Sequence, residues 1–437
     1  MKTKKLLALV LALAMMLMIF AGCSNNNGTA SASASASASA SASASASASA
    51  SASASASAAT LDGEVLKIGH IVDQTGVEAM TGAEAQAALE YAVEAIGGGI
   101  GNRPIEIIIG DAAGDASTAV DQARKMVEQD EVVAIFGPTQ IGQKTAVASY
   151  IDGVGIPLIL YNATPGGMLN NNEWLVGSGG TTIQLPTVMA DYAYNVLGYR
   201  KMHTIAQKTT GGENYMNPFI ERFEALGGEI LTQQWAPVGT SDFSTYFVTL
   251  EDADGIAAWT SSNDAIALWK AWYEQGLQDS MPIVATMHGG FTDYYVVDAL
   301  AAVDPKIAEA MLGTPAPITY VQDIDSAANE EFVEGWVAAK GSIPGGNNLS
   351  GACMQAILLL QAAVEDLDGD TSDSTALLEA IFAANVTGPE GTTYFEDGSH
   401  GATKNVYVVE ITKMKDGSYN YETAKVYEDV SASGYAG

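Results

Sequence analysis

Two apolar runs flank a short helical pattern in the first half of the chain. The runs are residues 132–136 and 156–160, and residues 143–152 between them carry small and apolar side chains on one side. This order predicts a strand, a helix and a second strand. Strands that are apolar along their whole length favour a parallel sheet covered on both faces.

A polar loop follows each of these two predicted strands, at residues 139–142 and 162–164. Right-handed crossovers bring the loops after parallel strands to one edge of the sheet. Ligands of open α/β sheets bind at that edge, where helix N-termini present unpaired N–H groups. The two loops are therefore our first candidates for a ligand-contacting surface. The alternative is that they are ordinary polar connections.

Alternating strands and helices continue on both sides of this unit. Further strands are predicted at residues 65–72, 105–109, 202–207, 255–259 and 282–285. Helices are predicted at residues 83–96, 117–129, 181–195, 215–226, 265–275, 330–340, 351–364 and 374–384. A hairpin of residues 406–411 and 420–426 closes the pattern. We expect an α/β fold of two lobes, each a doubly wound parallel sheet, with a cleft between them.

The first 60 residues have a different composition. Residues 1–22 combine a basic start, an apolar run and small residues before Cys23, which resembles a bacterial lipoprotein signal peptide with Cys23 as the lipidated residue. An ordinary secretory signal is the alternative. Residues 23–60 are mostly alternating Ser and Ala and bury too little apolar surface to fold. We expect a disordered tether that anchors an extracytoplasmic protein to the cell membrane.

The charge and the reactive side chains exclude several function classes. The chain has 51 acidic and 19 basic residues and a formal net charge of −32, so nucleic acid is a poor partner. Its four histidines lack metal-ligand spacing, and it has no phosphate-binding loop or nucleophile motif. We expect no catalysis, no metal and no cofactor. Cys353 lies in an apolar helical pattern that predicts a core position.

Five stretches stand out by their order and spacing. They are residues 68–76, 97–105, 108–115, 136–164 and 388–398. Together they resemble the substrate-binding lipoproteins of bacterial ABC importers, in the branched-chain amino-acid (Leu/Ile/Val) group with the type I periplasmic-binding-protein fold. The resemblance covers residues 65 to about 426. It implies a monomer that closes on a small ligand, three hinge crossovers and an ABC permease as membrane partner.

The resemblance also implies lobe boundaries. The first lobe would be residues 61–180 plus about 317–400, and the second residues 181–316 plus about 401–437. The hinges would lie near residues 177–181, 314–319 and 400–403. The same fold serves sensory ligand-binding domains, but no signalling helix follows residue 426 in this sequence, which favours transport.

On the first lobe, the resemblance implies that a hydroxyl after the 132–136 strand and an Ala-Thr pair after the next strand bind the ligand carboxylate. Ala163 and Thr164 match that pair and follow Asn162. Ile141 stands where the family has its serine. Three groups are candidates to replace the serine: Thr139, Gln140 and the N–H of Gly142. Gln74, in the loop after the first strand, completes this half of the expected site.

On the second lobe, the family places two aromatic residues and an acid. Tyr215 is the nearest match for the first ring, whereas Ser261 or Ser262 occupies the position of the second. The acid that pairs with a ligand ammonium falls near His288. Neutral histidine is a poor counter-ion for an ammonium group, and protonated histidine repels it.

The position of His288 leaves the ligand class open. Glu213 or Asp264 is a candidate to replace the acid, which would keep a branched-chain or other amino acid as ligand. Without such a replacement, the ligand is an amide, a carboxylate or an aromatic acid. The plainer interpretation of His288 is a hydrogen-bonded loop histidine.

Overall fold

The computed structural model describes residues 61–76, 78–261, 263–344 and 349–437. Its first sheet has six strands in the spatial order β2-β3-β1-β4-β5-β6. These strands are β1 (Leu66–Val72), β2 (Gly99–Ile100), β3 (Arg103–Asp111), β4 (Ala134–Phe136), β5 (Leu158–Ile159) and β6 (Leu175–Val176). All neighbours pair in parallel except β2 and β3. The parallel sheet predicted from the apolar runs is therefore confirmed.

Helices cover both faces of this sheet. They are α1 (Ala79–Ala95), α2 (Ala116–Glu128), α3 (Ile141–Ile151) and α4 (Gly166–Leu169), joined later in the chain by α11 (Ala327–Lys340), α12 (Leu349–Asp366) and α13 (Ser374–Ala383). α12 packs along α1, and α3 packs along α2. Cys353 on α12 is fully buried, which confirms its predicted place in the core. We call this sheet and its helices the first lobe.

A second parallel sheet has the strand order β10-β9-β7-β8. Its strands are β7 (Lys201–Gln207), β8 (Glu229–Ala236), β9 (Gly255–Trp259) and β10 (Ile283–Ala285). Its helices are α5 (Gln184–Asp191), α6 (Thr210–Ala225), α7 (Ser244–Phe247), α8 (Asn263–Glu274), α9 (Tyr294–Val303) and α10 (Pro305–Ala310), with a π-helical turn at Tyr192–Val196. We call this sheet and its helices the second lobe.

A third sheet is antiparallel and connects the lobes. Its strands are β11 (Pro315–Ile318), β12 (Val386–Gly388), β13 (Gly391–Phe395), β14 (Ala402–Lys413) and β15 (Tyr419–Val430). They lie in the order β11-β14-β13-β12, and β15 pairs with β14. The sequence predicted only the β14–β15 hairpin. β11 carries two prolines, which a strand tolerates at a sheet edge, and β11 lies at such an edge.

Several predicted boundaries were wrong. Helix α6 begins at Thr210 instead of residue 215, because the Thr209 hydroxyl caps it by accepting a hydrogen bond from the Gly212 N–H at 3.0 Å. Helix α5 begins at Gln184 instead of residue 181. Strand β8 was missed because three consecutive polar residues, 232–234, interrupt its apolar pattern. Strand β6 was also missed, and it pairs with β5.

The three crossovers between the lobes meet in one place. The Gly177 N–H donates to the His400 carbonyl at 2.8 Å, and the Ala402 N–H donates to the Gly177 carbonyl at 2.9 Å. Nearby, Lys404 and Glu390 form a fully buried ion pair. Lys404 also donates to the Ser178 carbonyl at 3.1 Å, and Thr319 hydrogen-bonds Glu390. Residues from all three connections therefore share one buried polar cluster, which we call the hinge cluster.

Candidate functional site

The loops that follow the parallel strands of the two lobes form the candidate site. On the first lobe they follow β1, β4 and β5, and on the second lobe they follow β7, β9 and β10. Because parallel strands end at one edge of their sheet, each lobe presents one loop edge. A cleft between two such edges is the usual place for a small ligand.

Asp73 connects several first-lobe loops through hydrogen bonds to its side chain. This buried carboxylate accepts hydrogen bonds from Gln140 Nε2 at 2.6 Å, Gln143 Nε2 at 2.8 Å and the Gly114 N–H at 2.7 Å. A Cβ at Gly82 would lie 1.9 Å from the Asp73 carbonyl oxygen, so glycine is required where α1 crosses this loop. The side-chain amide of Gln140 is thereby engaged with Asp73 instead of being free to replace the family serine.

The N-terminus of α3 is open. Its N-cap residue, Gln140, makes no side-chain cap, and the first backbone bond runs from the Lys144 N–H to the Gln140 carbonyl at 2.9 Å. The N–H groups at the start of a helix have no partner within it. Gly142 is exposed, and a Cβ placed there would meet no described atom within 4 Å. Ile141 and Gly142 thus lie at an accessible helix N-terminus, which is a site suited to an anion.

Hydrogen bonds within the protein hold the loop after β5 in place. Thr164 is fully buried, its hydroxyl donates to the Asn162 carbonyl at 3.0 Å, and its N–H donates to the Gly180 carbonyl at 3.0 Å. Asn162 Nδ2 donates to the Thr139 carbonyl at 3.1 Å. Thr164 therefore supports the loop from inside through these two hydrogen bonds, and its contact with a ligand stays a prediction. In the same loop, Asn162 is half-buried and Ala163 is buried.

Lys144 is the residue that sequence reasoning missed. It lies in the first turns of α3, its side chain is fully buried, and its Nζ donates to the Ala163 carbonyl at 2.8 Å and the Asn162 carbonyl at 3.3 Å. Burial lowers the pKa of Lys144 to about 7. The available signal was a single charged residue in a helix whose other buried residues are uncharged.

The second lobe contributes an aromatic pair. The rings of Tyr215 and Trp259 lie 5.0 Å apart between centroids, and Trp259 Nε1 donates to the Gly289 carbonyl at 2.9 Å. Both side chains are buried to more than nine-tenths, and burial raises the pKa of Tyr215 to about 12. Trp259 is the last residue of strand β9. Because its neighbours in the sequence are apolar, the pattern predicted an ordinary strand residue of the core.

His288 is buried and fully surrounded. Its Nδ1 lies 3.0 Å from Thr292 Oγ1, its Nε2 lies 2.8 Å from Asp293 Oδ1 without hydrogen-bond alignment, and its ring packs edge-on against Tyr421 at 4.8 Å. These contacts are those of the plainer interpretation, a hydrogen-bonded loop histidine. They also reveal an acid, Asp293, that the sequence analysis did not consider.

The two acids proposed to replace the family acid are both engaged. Asp264 is buried, and its Oδ2 accepts from Gln207 Nε2 at 2.7 Å and from the Gly239 N–H at 2.9 Å. Glu213 is exposed and pairs with Lys208 at 2.6 Å. Both carboxylates are therefore already bonded within the protein, through Oδ2 of Asp264 and Oε1 of Glu213.

The remaining predicted residues lie apart from this group or outside the description. Gln74 is exposed, its Nε2 donates to Gln86 Oε1 at 2.9 Å, and its backbone N–H donates to Asp111. These bonds connect Gln74 to α1 and to the end of β3. Ser262 and Cys23 lie outside the described residues.

Two cavities lie between elements of the two lobes. The larger, about 690 Å³, is lined by α3, α4 and the start of α6, including Ile141, Thr145, Glu213 and Asn214. The smaller, about 470 Å³, is lined by α1, α9 and the β14–β15 turn, including Glu84, Tyr294 and Tyr421. Ile141 and the candidate acid Glu213 both line the larger cavity.

The described part of the chain also bears on metal binding and on membrane insertion. No group of three or more His, Cys, Asp or Glu side chains has the arrangement of a metal site there. Among the described helices, none combines the length and apolarity needed to span a membrane.

Comparison with known proteins identifies the family. The periplasmic binding protein family matches residues 65–418, and the chain belongs to that family. Leu/Ile/Val-binding protein homolog 6 of Brucella suis biovar 1 (strain 1330) is 24% identical over 370 residues, which are 84% of this chain and 92% of that protein.

Two solved structures have the same fold. An ABC transporter substrate-binding protein from Sphaerobacter thermophilus is 30% identical with a TM-score of 0.76, covering 84% of this chain and 99% of that one. A solute-binding protein of an ABC transporter from Rhodopseudomonas palustris BisB5, solved with 3,4-dihydroxybenzoic acid, is 22% identical with a TM-score of 0.73, covering 84% and 98%. The predicted type I periplasmic-binding-protein fold is thus confirmed.

Proposed function

We propose that this protein is the solute-binding subunit of an ABC importer and captures a small carboxylic acid with an apolar body between its lobes. The observation that carries the proposal is the open N-terminus of α3, where Ile141 lines a cavity of about 690 Å³ shared with the second lobe. Unpaired N–H groups and the helix dipole favour a carboxylate at this position. The family membership supports a binding protein and not an enzyme.

The relatives agree on this ligand chemistry while differing in detail. One is named for leucine, isoleucine and valine, and another was solved with a dihydroxybenzoic acid. Both kinds of molecule carry one carboxylate on a largely apolar body. The amino acids add an ammonium group, and the benzoic acid adds two hydroxyls. The aromatic pair Tyr215–Trp259 suits an apolar body, whereas Asp264 and Glu213 are already bonded within the protein.

A thermal-shift screen confirmed by calorimetry tests the proposal. The panel pairs acids with their amides: leucine with leucinamide, and benzoate with benzamide. It adds 4-methylpentanoate, which is leucine without its ammonium. We expect acids to stabilise the protein by about 2.7 kcal/mol at 100 times the dissociation constant, and amides to have little effect. Amides that bind as well as their acids, or a panel without any bound acid, would overturn it. The comparison of leucine with 4-methylpentanoate then decides whether an ammonium is recognised.

The cellular setting follows from the family and the first 60 residues. The family is extracytoplasmic. We further propose that Cys23 carries a lipid anchor, that the protein works as a monomer with the lobe boundaries inferred above, and that a membrane permease accepts the ligand-bound form. Mass spectrometry of the membrane fraction should find an acylated N-terminal Cys23, and Cys23→Ala should release the protein from that fraction. An unmodified Cys23 in a soluble chain would refute the anchor alone.

A further inference from the structure

Lys144 is a buried cation without a buried counter-ion. Its two acceptors are the backbone carbonyls of Asn162 and Ala163, which carry only partial charge. Among the described residues, no carboxylate lies within ion-pair distance of its Nζ. An ammonium removed from water without an opposite charge is costly, and such groups are retained mainly where they serve a function.

The charged and titratable groups around Lys144 are already engaged. On the loop after β1, Asp73 is held by two amide side chains and one backbone N–H. At the end of β5, the Tyr161 hydroxyl lies 3.0 Å from His70 Nε2. Across the larger cavity, Glu213 on α6 pairs with Lys208. None of these groups forms an ion pair with Lys144, so a bound anion would supply the counter-ion that the described residues lack.

Lys144 also connects the helix that carries the proposed function to the loop after β5. Its backbone belongs to the start of α3, and its side chain ends beneath the Asn162–Ala163 carbonyls of the loop after β5. Asn162, whose carbonyl accepts from Lys144 Nζ, also donates through Nδ2 to the Thr139 carbonyl at 3.1 Å, one residue before the α3 N-cap. The lysine therefore lies close to the N-terminus at which the ligand carboxylate is proposed to bind. The positive end of the helix dipole and a protonated Lys144 would both attract the carboxylate.

We propose that Lys144 determines the specificity of this site for anions, by taking up a proton when the ligand carboxylate binds. The proposal rests on the proposed function and identifies the charge that selects the ligand. One proton moves from solvent to Nζ, and the ligand stays ionised. The low pKa of Lys144 leaves the free protein largely uncharged there at pH 8, and a nearby anion raises that pKa again.

Calorimetry in two buffers of different ionisation enthalpy tests this on the full chain. With benzoate and leucine as probes at pH 8, we expect the wild-type protein to take up close to one proton per ligand, and almost none at pH 6. The affinity should fall as the pH rises from 7 to 9. No proton uptake at pH 8 with a carboxylate bound would overturn the proposal.

Two variants separate charge from structure. Lys144→Gln keeps N–H donors for the loop carbonyls and removes the charge, whereas Lys144→Met removes both. We expect both variants to lose proton uptake and to bind carboxylates at least tenfold more weakly. If Lys144→Gln binds like the wild type and only Lys144→Met is weak, the lysine merely holds the loop and the proposal fails.

The failure of this proposal differs from the failure of the proposed function. If carboxylates bind the wild-type protein without proton uptake, only the role of Lys144 is refuted. If benzoate, leucine and 4-methylpentanoate all fail to bind, the proposed ligand class is refuted, and with it the ligand-linked role of Lys144.

Discussion

At the scale of single residues, the cleft is built from polar groups that are mostly bonded to one another. Asp73 engages Gln140 and Gln143, and Asp264 engages Gln207. Fixed side chains of this kind shape a site without the entropy cost of ordering them when a ligand arrives. The groups that remain for a ligand are backbone N–H groups and the unneutralised Lys144.

Lys144 should also make the stability of the ligand-free protein depend on pH. Its pKa in the folded chain is about 7 against an ordinary 10.5, so between these values the unfolded chain binds a proton that the folded chain lacks. Stability therefore rises with pH across this window and carries the full penalty of the buried charge below pH 7. We expect urea unfolding to show this rise for the wild-type protein.

Lys144→Gln is the control for that experiment, because it removes the titrating group and keeps the hydrogen-bond donors. The difference in unfolding free energy between variant and wild type should shrink as the pH rises from 7 to 10. A difference that stays constant over this range would mean that Lys144 keeps its charge in the folded protein.

At the scale of elements, the N-terminus of α3 should bind a carboxylate through its backbone. Ile141→Pro removes one N–H at the first helical position, where proline is tolerated. Gln140 already has the extended backbone that a following proline requires, with ψ of 137°. We expect about 1–3 kcal/mol weaker binding of an acid ligand, the range for a lost hydrogen bond to a charged group, with little loss of stability.

Ile141→Ala is the matched control, because it shortens the same side chain and retains the N–H. Calorimetric titration should find the alanine variant closer to wild type than the proline variant. Equal losses in both variants would assign the effect to the isoleucine side chain and not to the helix N-terminus.

The hinge cluster is the second element-scale feature with a measurable consequence. Lys404→Met would leave Glu390 buried without its cation, and burial already raises the pKa of this carboxyl group. Breaking one partner of such a pair costs about 3–5 kcal/mol of stability. Lys413→Met, on the same strand, removes an exposed pair with Glu309 at 3.4 Å and should cost at most about 1 kcal/mol.

Denaturant unfolding of the two variants compares these losses directly. The hinge-cluster variant should have a much lower transition midpoint than the surface variant. Similar midpoints would show that the crossovers are held together by their backbone pairing and not by the buried ion pair.

The sequence predicted elements better than it predicted the bonding within the site. The parallel sheets could be predicted because apolar runs such as 132–136, followed by loops that contain Gly and Pro, are a local pattern of the sequence. β8 was missed because three consecutive polar residues interrupt its apolar pattern, and β11 was missed because half of its residues are proline. Whether Thr164 points inward, or whether Asp264 is free, depends on partners distant in the chain. No local pattern contains that information.

At the scale of the whole molecule, the two lobes are connected by the hinge cluster and touch across the cleft. Tyr294 on α9 of the second lobe donates to Glu84 Oε1 on α1 of the first lobe at 2.8 Å. Such lobes can rotate about their crossovers, and a ligand that contacts both favours the closed arrangement. The loops of both lobes are placed to make that bridge.

Small-angle X-ray scattering of the full chain, with and without a saturating carboxylate from the panel, tests this account most directly. We expect the radius of gyration to fall on binding, with Ile141→Pro needing more ligand to reach the same compact profile. A carboxylate that binds tightly by calorimetry and leaves the scattering profile unchanged would contradict capture between closing lobes.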